Sequence, residues 1–392
     1  MEIFPFATAK KILFGTGAVE QLGKEVKNIG ARKVAIITDE VIKKAGVLDK
    51  VTNVLKKTGL DCEIWDKVES EPSVEVGEAA IQFTREGKYD GVIGLGGGSV
   101  MDTAKAAAVS ITNPGTLREW VKTVFEKPLA PLVLIPTTSG TGSEVSNAAV
   151  FATPEVKYVL YSSLMYPDIA LVDPELTRTV PAGTTANTGI DVLCHAIEAY
   201  VSLKANPITD TLAVEAIRLV AENLRAAYAY GDNMEARTGM SLASLMAGLA
   251  FGNAGTVLGH ACGYAYVYPA TKFHFPHGYS IAITMPYVLE YNAISNLQKH
   301  ATIAETLGEP TSGLSLREAA FRSAVAFKRL LVDLNMPTSI KDVGVTRDMI
   351  PSIAKNVFKS TAHVARNPRK VTEEGMARLF EKAYEGKLEC EI

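Results

Sequence analysis

The first half of the chain alternates short apolar runs with polar or glycine-rich turns. Between about Lys33 and Asp173, these runs are rich in β-branched residues and are followed by stretches with helical spacing. The runs read VAIITD, CEIWD, GVIGLGGGS, LVLIPTT and IALVD. Buried strands that alternate with helices are typical of a parallel sheet covered by helices. We therefore predict an N-terminal α/β domain with a mostly parallel sheet.

The pattern changes after the segment DPELTRTVPAG. The segments that follow are long and rich in alanine and leucine, with apolar residues at helical spacing, as in TLAVEAIRLVAENLRAAYAY and MARLFEKAYEG. We predict that this half is all α-helical. A chain of 392 residues is long enough for two domains with separate cores. Because Pro181 and Gly183 stand near the start of the first long helix, we place the domains at residues 1–180 and 181–392.

Composition and charge exclude several classes of partner. Hydrophobic residues make up 47% of the chain, charged residues make up 21%, and the net charge is −3. These values describe a globular protein without an electrostatic surface for nucleic acid or anionic lipid. Four cysteines without CxxC spacing suit a reducing compartment. The start of the chain lacks a signal-peptide pattern, and no long uninterrupted apolar run follows. We expect a cytoplasmic protein that binds neither nucleic acid nor membranes.

Two turns in the first half have the chemistry of a phosphate cradle. The run GVIGLGGGS predicts a strand that enters a turn of Gly96, Gly97 and Gly98, followed by a helix from Val100 to Val109. Glycines let backbone N–H groups approach a phosphate, and a helix N-terminus favours negative charge. Ser99 and Asp102 also have the spacing of a capping box. A single glycine turn is weak evidence for phosphate binding, because it can simply be a tight connection between a strand and a helix. The second turn, PTTSGTGSE after LVLIP, adds hydroxyls at the same edge of the sheet.

The order of these parts differs from the usual dinucleotide fingerprint. That fingerprint places an acidic ribose partner about 20 residues after the glycines. Here Asp39 ends the first strand and precedes Gly96. A carboxylate at the ribose would accept a hydrogen bond from a 2′-hydroxyl and repel a 2′-phosphate, which favours NAD over NADP. Alternatively, Asp39 caps the helix that follows.

A second group of residues has the chemistry of a metal site. Asp191 and His195 are four residues apart on a predicted helix, so both side chains project from one face. With His260 and His277 they supply one oxygen and three nitrogen ligands, although each histidine alone could be an ordinary packed residue. This set suits divalent iron or zinc. A catalytic metal in such a site would acidify an alcohol and polarise the corresponding carbonyl.

These segments together resemble the iron-containing alcohol dehydrogenase family. The resemblance rests on GGGSVMDTAKA, PTTSGTGSEVSNAAVF, GIDVLCHAIEAYVS, NAGTVLGHACGY and FPHGYSIAITMPYV, and it runs in order over nearly the whole chain. It implies the two-domain architecture that this family shares with dehydroquinate synthase, NAD(P) as cofactor, and a homodimer or larger assembly. It implies Fe²⁺ as the metal, with Zn²⁺ as an alternative. The metal ligands that it implies are Asp191, His195, His260 and His277. The cofactor contacts that it implies are Asp39, Gly96, Gly97, Gly98, Ser99, Asp102, Thr137, Thr138 and Ser143.

The resemblance also indicates catalytic and substrate residues, with two departures. Phe251 and His363 match positions that line the substrate pocket in some members. Many members have a histidine near the nicotinamide at the position that is Tyr264 here. We hypothesise that His274, in HFPH, replaces it as a proton relay, the alternative being a merely packed histidine. Glu71 stands where an asparagine is common.

The resemblance implies an oxidoreductase that moves a hydride between NAD(P) and a small primary alcohol or diol. Phe151 and Phe251 weakly favour a small aliphatic alcohol or aldehyde. Polyol dehydrogenase and hydroxyacid–oxoacid transhydrogenase activities are close alternatives. A metal- and NAD-dependent lyase on the same scaffold would need more basic residues for its substrate, and a regulatory protein would have no use for a complete ligand set.

Overall fold

The computed structural model describes residues 3–121, 125–153, 157–267 and 275–391. Its contacts divide the chain into two compact units. The sheet unit comprises Phe6–Pro181 and Gly231–Gly248. The helical unit comprises Met1–Pro5, Ala182–Tyr230 and Leu249–Ile392. The segment Gly231–Gly248 therefore belongs to the sheet unit, although it follows the first two long helices in the sequence.

The sheet unit contains eight strands within its described residues. They are β1 Lys11–Phe14, β2 Lys33–Ile37, β3 Asp61–Trp65, β4 Gly91–Gly96, β5 Leu132–Pro136, β6 Ala148–Ala152, β7 Lys157–Tyr161 and β8 Ile169–Val172. Six of them form one parallel sheet in the order β1-β8-β5-β4-β2-β3. Strands β6 and β7 pair with each other in antiparallel fashion. The predicted parallel α/β domain is confirmed.

The chain order of the strands creates a switch point in this sheet. The chain passes from β2 to its neighbour β3 on one side, and then returns to β4 on the other side of β2. Open α/β sheets bind ligands at such a point, outside the carboxyl ends of the strands. Asp39 follows β2, and the glycine turn follows β4. The two predicted cofactor segments therefore flank the switch point.

Helices bury the central strands of the sheet, whereas the edge strands β1 and β3 are partly exposed. Strands β4, β5 and β8 are buried at every position, as expected for strands covered on both faces. A side chain at Gly94 of β4 would place its Cβ 2.7 Å from the Cβ of Ala104, so this glycine permits close packing of a helix on the strand. The helices are α1 Leu22–Asn28, α2 Glu40–Lys44, α3 Val47–Lys57, α4 Val74–Gly87, α5 Gly98–Thr112 and α6 Leu117–Trp120.

From residue 182 onwards, the described secondary structure is helical. The helices are α7 Ala182–Val201, α8 Pro207–Ala229, α9 Met234–Ala254, α10 Leu258–Val267, α11 His277–Asn292, α12 Leu297–Thr306, α13 Leu316–Asp333, α14 Ile350–Asn356, α15 Thr361–Arg366 and α16 Glu373–Glu385. Local chemistry sets their starts. Helix α8 begins with Pro207 after a capping box that Asn206 forms with Thr209, and Ser315 forms another with Glu318 at α13. The predicted all-helical second half is confirmed.

No single described helix is long and apolar enough to cross a membrane. Helices α9 and α10 meet that criterion only when taken together, by length and composition, and they meet at a bend of 96°.

Candidate metal centre and nucleotide-binding loops

One face of helix α7 carries three buried ionisable side chains. Asp191 and His195 are one helical turn apart, so they project from the same face. Glu198 follows three residues after His195 and extends the same face. All three side chains are buried in the helical unit. Charged groups are rarely buried without a partner. The buried face of α7 is therefore a candidate functional site, in which these side chains need polar or charged partners.

Two further helices bring the other predicted ligands to this face. His260 lies in α10, and His277 is the first residue of α11. One ligand atom from each of Asp191, His195, His260 and His277 can be chosen so that all four lie within 4.8 Å of one another. His277 keeps some exposure to solvent, while the other three residues are buried. The structure therefore brings the four predicted ligands into one cluster.

The chemistry of this cluster fits a divalent cation. Oδ1 of Asp191 accepts no hydrogen bond from the part of the chain that the structure describes. It lies 3.8 Å from Nε2 of His195. Burial raises the pKa of Asp191 to about 7, while the charge of His260 acts in the opposite direction. A buried carboxylate oxygen without a donor is unfavourable unless a cation faces it. Three imidazoles and one carboxylate are a donor set that both iron and zinc accept.

Glu198 holds one of the histidines in a defined state. Its Oε2 forms a hydrogen bond with Nδ1 of His260. Its Oε1 accepts the backbone N–H of Val257 at 2.9 Å and that of His260 at 3.2 Å. Burial raises the pKa of Glu198, but the charge and hydrogen bonds of His260 outweigh this effect and leave it below its usual value. The carboxylate therefore fixes the Nδ1–H tautomer of His260 and leaves Nε2 with its lone pair for a metal.

Glu198 is not among the site residues predicted from the sequence. A signal existed, because Asp191, His195 and Glu198 are separated by four and three residues, the spacing of one helix face. A lone glutamate in an amphipathic helix usually faces solvent, so the spacing alone does not separate the two interpretations.

Aromatic rings surround the cluster. Phe251 stacks on His195 with ring centroids 4.3 Å apart. His363 lies parallel to His260 at 6.0 Å, and Tyr264 stacks on His277 at 5.6 Å. Tyr264 and His363 also meet edge to face at 5.8 Å. The predicted substrate residues Phe251 and His363 thus lie beside the cluster, together with the tyrosine that replaces the usual histidine.

The imidazole of His363, which lies beside the cluster, is uncharged at neutral pH. Burial lowers its pKa to about 4, and the nearby charge of His260 acts in the same direction. The side chain keeps partial contact with solvent. At neutral pH His363 is therefore uncharged, and its ring offers one hydrogen-bond donor and one acceptor.

The two remaining predicted residues, His274 and Phe151, have different outcomes. His274 lies outside the described residues. Phe151 belongs to strand β6 and is fully buried in the core of the sheet unit. The expectation that Phe151 indicates the substrate is wrong, because its ring packs beneath Gly77, where an added Cβ would lie 2.7 Å from it.

The glycine turn and the second turn lie against each other at the end of the sheet. Gly97 precedes α5, which begins at Gly98. A Cβ on Gly98 would lie 2.8 Å from Cγ2 of Thr141, and one on Gly97 would lie 3.6 Å from Oγ1 of Thr138. Ser99 accepts a hydrogen bond from the backbone N–H of Glu71 at 3.2 Å. The turns form a backbone surface without bulky side chains at the N-terminus of α5, the geometry that phosphate binding needs.

Asp102 and Ser143 bind each other beneath these turns. Oδ1 of Asp102 accepts from the hydroxyl of Ser143 at 2.7 Å, and its Oδ2 accepts from the backbone N–H of Val150 at 2.9 Å. The fully buried Lys105 donates to Ser143 at 2.8 Å and to Ser146 at 3.0 Å. The predicted capping box is wrong, because α5 starts one residue before Ser99 and Asp102 turns toward Ser143. Both side chains tie the two turns together.

Asp39 and the threonines stand at the same edge of the sheet. Asp39 caps α2, since its Oδ1 accepts from the backbone N–H of Ile42 at 2.8 Å. The alternative role foreseen for this residue is therefore present, while Oδ2 takes no part in that bond. Thr137 and Thr138 directly follow β5. Thr137 is buried, and Thr138 is partly exposed.

Comparison with known proteins gives relatives along almost the whole chain. The sequence model of iron-containing alcohol dehydrogenase matches residues 9–174, and the C-terminal model of the Fe-containing alcohol dehydrogenase family matches residues 185–384. Long-chain-alcohol dehydrogenase 1 of Geobacillus thermodenitrificans is 40% identical over 95% of this chain and 94% of its own. The NAD-dependent methanol dehydrogenase of Bacillus methanolicus is 38% identical over 95% of this chain and 97% of its own.

Solved structures give the same result. The crystal structure of a 1,3-propanediol oxidoreductase superposes with a TM-score of 0.93 and 36% sequence identity, and the match covers 98% of this chain and 100% of that one. A match of this extent includes the sheet, its turns and the helices that carry the histidine cluster. Sequence and structure agree that the chain is an oxidoreductase that belongs to the iron-containing alcohol dehydrogenase family.

Proposed function

We propose that the protein oxidises a small primary alcohol or diol with NAD and a divalent metal, and reduces the corresponding aldehyde in reverse. The observation that carries the proposal is the cluster of Asp191, His195, His260 and His277, in which a buried carboxylate oxygen faces no hydrogen-bond donor among the described residues. The reaction also needs a binding surface for NAD, which the glycine turn and the second turn at the edge of the sheet would supply. Relatives with names of alcohol dehydrogenases support the reaction class.

The four clustered residues would hold the metal. Iron is the metal that we propose, with zinc as the alternative, because nitrogen and oxygen donors accept both. When bound, the metal supplies Lewis acidity for the interconversion of alcohol and carbonyl. Asp191 contributes a full negative charge, and Glu198 keeps His260 in the tautomer whose Nε2 is unprotonated. The helices supply rigid positions for all four ligands.

The surrounding aromatic residues would shape the substrate pocket. Phe251 and Tyr264 present ring faces beside the cluster, so they exclude water and favour an aliphatic chain. The neutral ring of His363 can donate or accept a hydrogen bond, which suits a second hydroxyl or a water molecule. These features support an alcohol or diol over a phosphorylated substrate.

The sheet unit would bind NAD. The turns at Gly96, Gly97 and Gly98 offer backbone N–H groups to the pyrophosphate at the start of α5. Ser99, Thr137 and Thr138 add hydroxyls at the same edge of the sheet. Asp39 would place its second carboxylate oxygen toward the adenosine ribose, which favours NAD over NADP. Asp102 and Ser143 would act by holding the turns, because their polar atoms bind each other.

The route of the proton and the assembly state complete the proposal. We keep His274 as the proposed proton relay; a His274→Ala variant with an unchanged pH profile and turnover would remove it from that role. A homodimer or larger homo-oligomer also remains a prediction, which sedimentation velocity of the purified protein would check.

The experiment measures anaerobic NADH formation by the iron-loaded protein across short alcohols and diols. We expect turnover that requires metal and that a His260→Ala/His277→Ala double variant loses. His300→Gln serves as the control, because His300 is a buried histidine of the same unit in α12 and is not part of the cluster. Full activity of the double variant would contradict the proposal. Absence of net NADH formation with metal and NAD bound would instead favour the transhydrogenase or lyase alternatives.

A further inference from the structure

The sheet unit contains a small cavity whose lining residues all belong to that unit. Its volume is about 10 Å³, which is room for one water molecule or one ion of similar size. Oxygen-bearing side chains dominate its wall. The lining residues are Pro136, Thr138, Glu144, Val172, Asp173, Thr177, Ser241 and Ser244.

Glu144 makes this cavity unusual. The residue is 1% exposed, and its Oε2 has no hydrogen-bond partner among the described residues. A buried carboxylate oxygen without a donor is strongly unfavourable and demands either a proton or a cation. Burial raises the pKa of Glu144 to about 7, so its ionised form, which predominates only above that pH, needs a positive partner.

The fixed charges near the cavity do not supply that partner. Asp173 adds a second carboxylate to the wall, but backbone N–H groups of Gly17, Val19 and Glu175 satisfy it. Lys105 is the cation that acts on Glu144, yet it also pairs with Asp102 at 3.7 Å. Two carboxylates thus share one ammonium group, while the carboxylate of Asp173 is compensated only by dipoles.

The remaining wall offers neutral oxygen ligands. Ser241 shares a hydrogen bond with Ser139 at 3.0 Å, and Thr177 donates its hydroxyl hydrogen to the carbonyl of Pro174 at 2.8 Å. Both hydroxyl oxygens retain lone pairs that can face a cation. One carboxylate that Lys105 compensates only in part, together with several hydroxyl oxygens, suits a hard ion of single charge, since oxygen ligands bind hard cations.

We propose that this cavity binds a monovalent cation of the size of Na⁺ or K⁺, with Glu144 as its charged ligand. The site would stabilise the turn that follows β5, because Thr138 and Glu144 belong to that turn and both line the cavity. If the turn binds NAD, as the proposed function states, the cation also tightens NAD binding. That second consequence rests on the proposed function, whereas the cation site itself does not.

The first measurement is the thermal unfolding midpoint of the full-length, metal-loaded protein at slightly alkaline pH. Equal concentrations of NaCl, KCl and choline chloride are compared, so that ionic strength is constant. We expect a saturable rise of the midpoint with Na⁺ or K⁺ over choline, because a ligand that binds only the folded state stabilises it. Equal midpoints in the three salts would overturn the proposal. A rise with added MgCl₂ alone would also overturn it.

Three variants assign the effect to the cavity. Glu144→Gln keeps the shape and removes the charge, and it should abolish the difference between the salts. Ser244→Ala removes one hydroxyl and should weaken the response, which keeps the test valid if Glu144→Gln folds poorly. Glu235→Gln removes the same charge from an exposed position of the same unit and should respond like the unmodified protein. A normal salt response of both cavity variants would overturn the assignment.

The second measurement is the dissociation constant of NADH in the same salts, followed by fluorescence. We expect a roughly fivefold tighter constant with the effective cation. Tight NADH binding with no dependence on the cation would overturn the coupling and leave the proposed function intact. Absence of NADH binding in every salt, with a persistent midpoint response, would instead contradict the proposed function and support the cation site.

Discussion

The hydrogen bond between Glu198 and His260 gives the most demanding prediction about the metal centre. In Glu198→Gln, the backbone N–H groups of Val257 and His260 still require an oxygen at the position of Oε1. The amide NH₂ then faces Nδ1 of His260, where Oε2 stood before. Because NH₂ can only donate, the imidazole must accept at Nδ1 and carry its proton on Nε2. That tautomer has no lone pair on the nitrogen assigned to the metal.

The expected magnitude follows from this change of tautomer. Loss of a partner that orients a metal-binding histidine weakens metal affinity by about 10- to 100-fold. This factor corresponds to about 1.4–2.8 kcal/mol. The assay is competition for Zn²⁺ between the metal-free protein and a chromophoric chelator, with circular dichroism to verify the fold.

A matched variant separates this effect from the loss of any buried carboxylate. Glu290→Gln removes another buried carboxylate of the helical unit, one that accepts from Lys382 at 2.8 Å. We expect this variant to lose stability and to retain full metal affinity. An unchanged affinity of Glu198→Gln, in a protein that is folded, would refute the reasoning about the tautomer.

Three further predictions concern other parts of the molecule. Burial lowers the pKa of His300 from 6.5 to about 4, so its contribution to stability is complete above pH 6.5 and falls as the pH approaches 4. The loss is about 3 kcal/mol in the free energy of unfolding; an equal acid dependence of His300→Gln in urea titrations would contradict it. In Gly98→Ala the new Cβ meets Thr141 at 2.8 Å, which should weaken NADH binding by roughly tenfold, whereas Gly183→Ala, in open space, should not; equal fluorescence titrations would oppose this. Asp39→Ser keeps a helix cap and removes the charge, so the ratio of kcat/KM for NADP to that for NAD should rise, and a constant ratio would exclude Asp39 from the ribose site.

The sequence predicted the parts of the fold that depend on local patterns. Continuous apolar runs such as those of β4 and β5 have few alternatives to buried parallel strands, because helices of that length are too short. The i, i+4 spacing of Asp191 and His195 predicts one shared face of α7, because residues four apart in a helix are neighbours on its surface. Both patterns lie within a few consecutive residues, so they can be recognised without knowledge of tertiary contacts.

Other features depend on tertiary contacts that local patterns do not contain. The capping box of Ser99 was wrong because Asp102 has a stronger partner in Ser143, which is distant in sequence. Phe151 is a core residue because a helix lies against its strand. The role of Glu198 cannot be predicted from spacing, because only the packing of α10 on α7 brings its carboxylate to the imidazole of His260. Spacing alone cannot show which partner a polar group finds.

The proposed function requires one divalent metal in the histidine cluster for the oxidation of an alcohol by NAD. The most direct measurement is an anaerobic titration of the metal-free protein with Fe²⁺, in which NADH formation from a short alcohol is followed at each addition. We expect the activity to rise linearly and to level off at one equivalent of Fe²⁺ per chain, and we expect the His260→Ala/His277→Ala variant to stay inactive throughout. Full activity without metal, or equal activation of that variant, would contradict it.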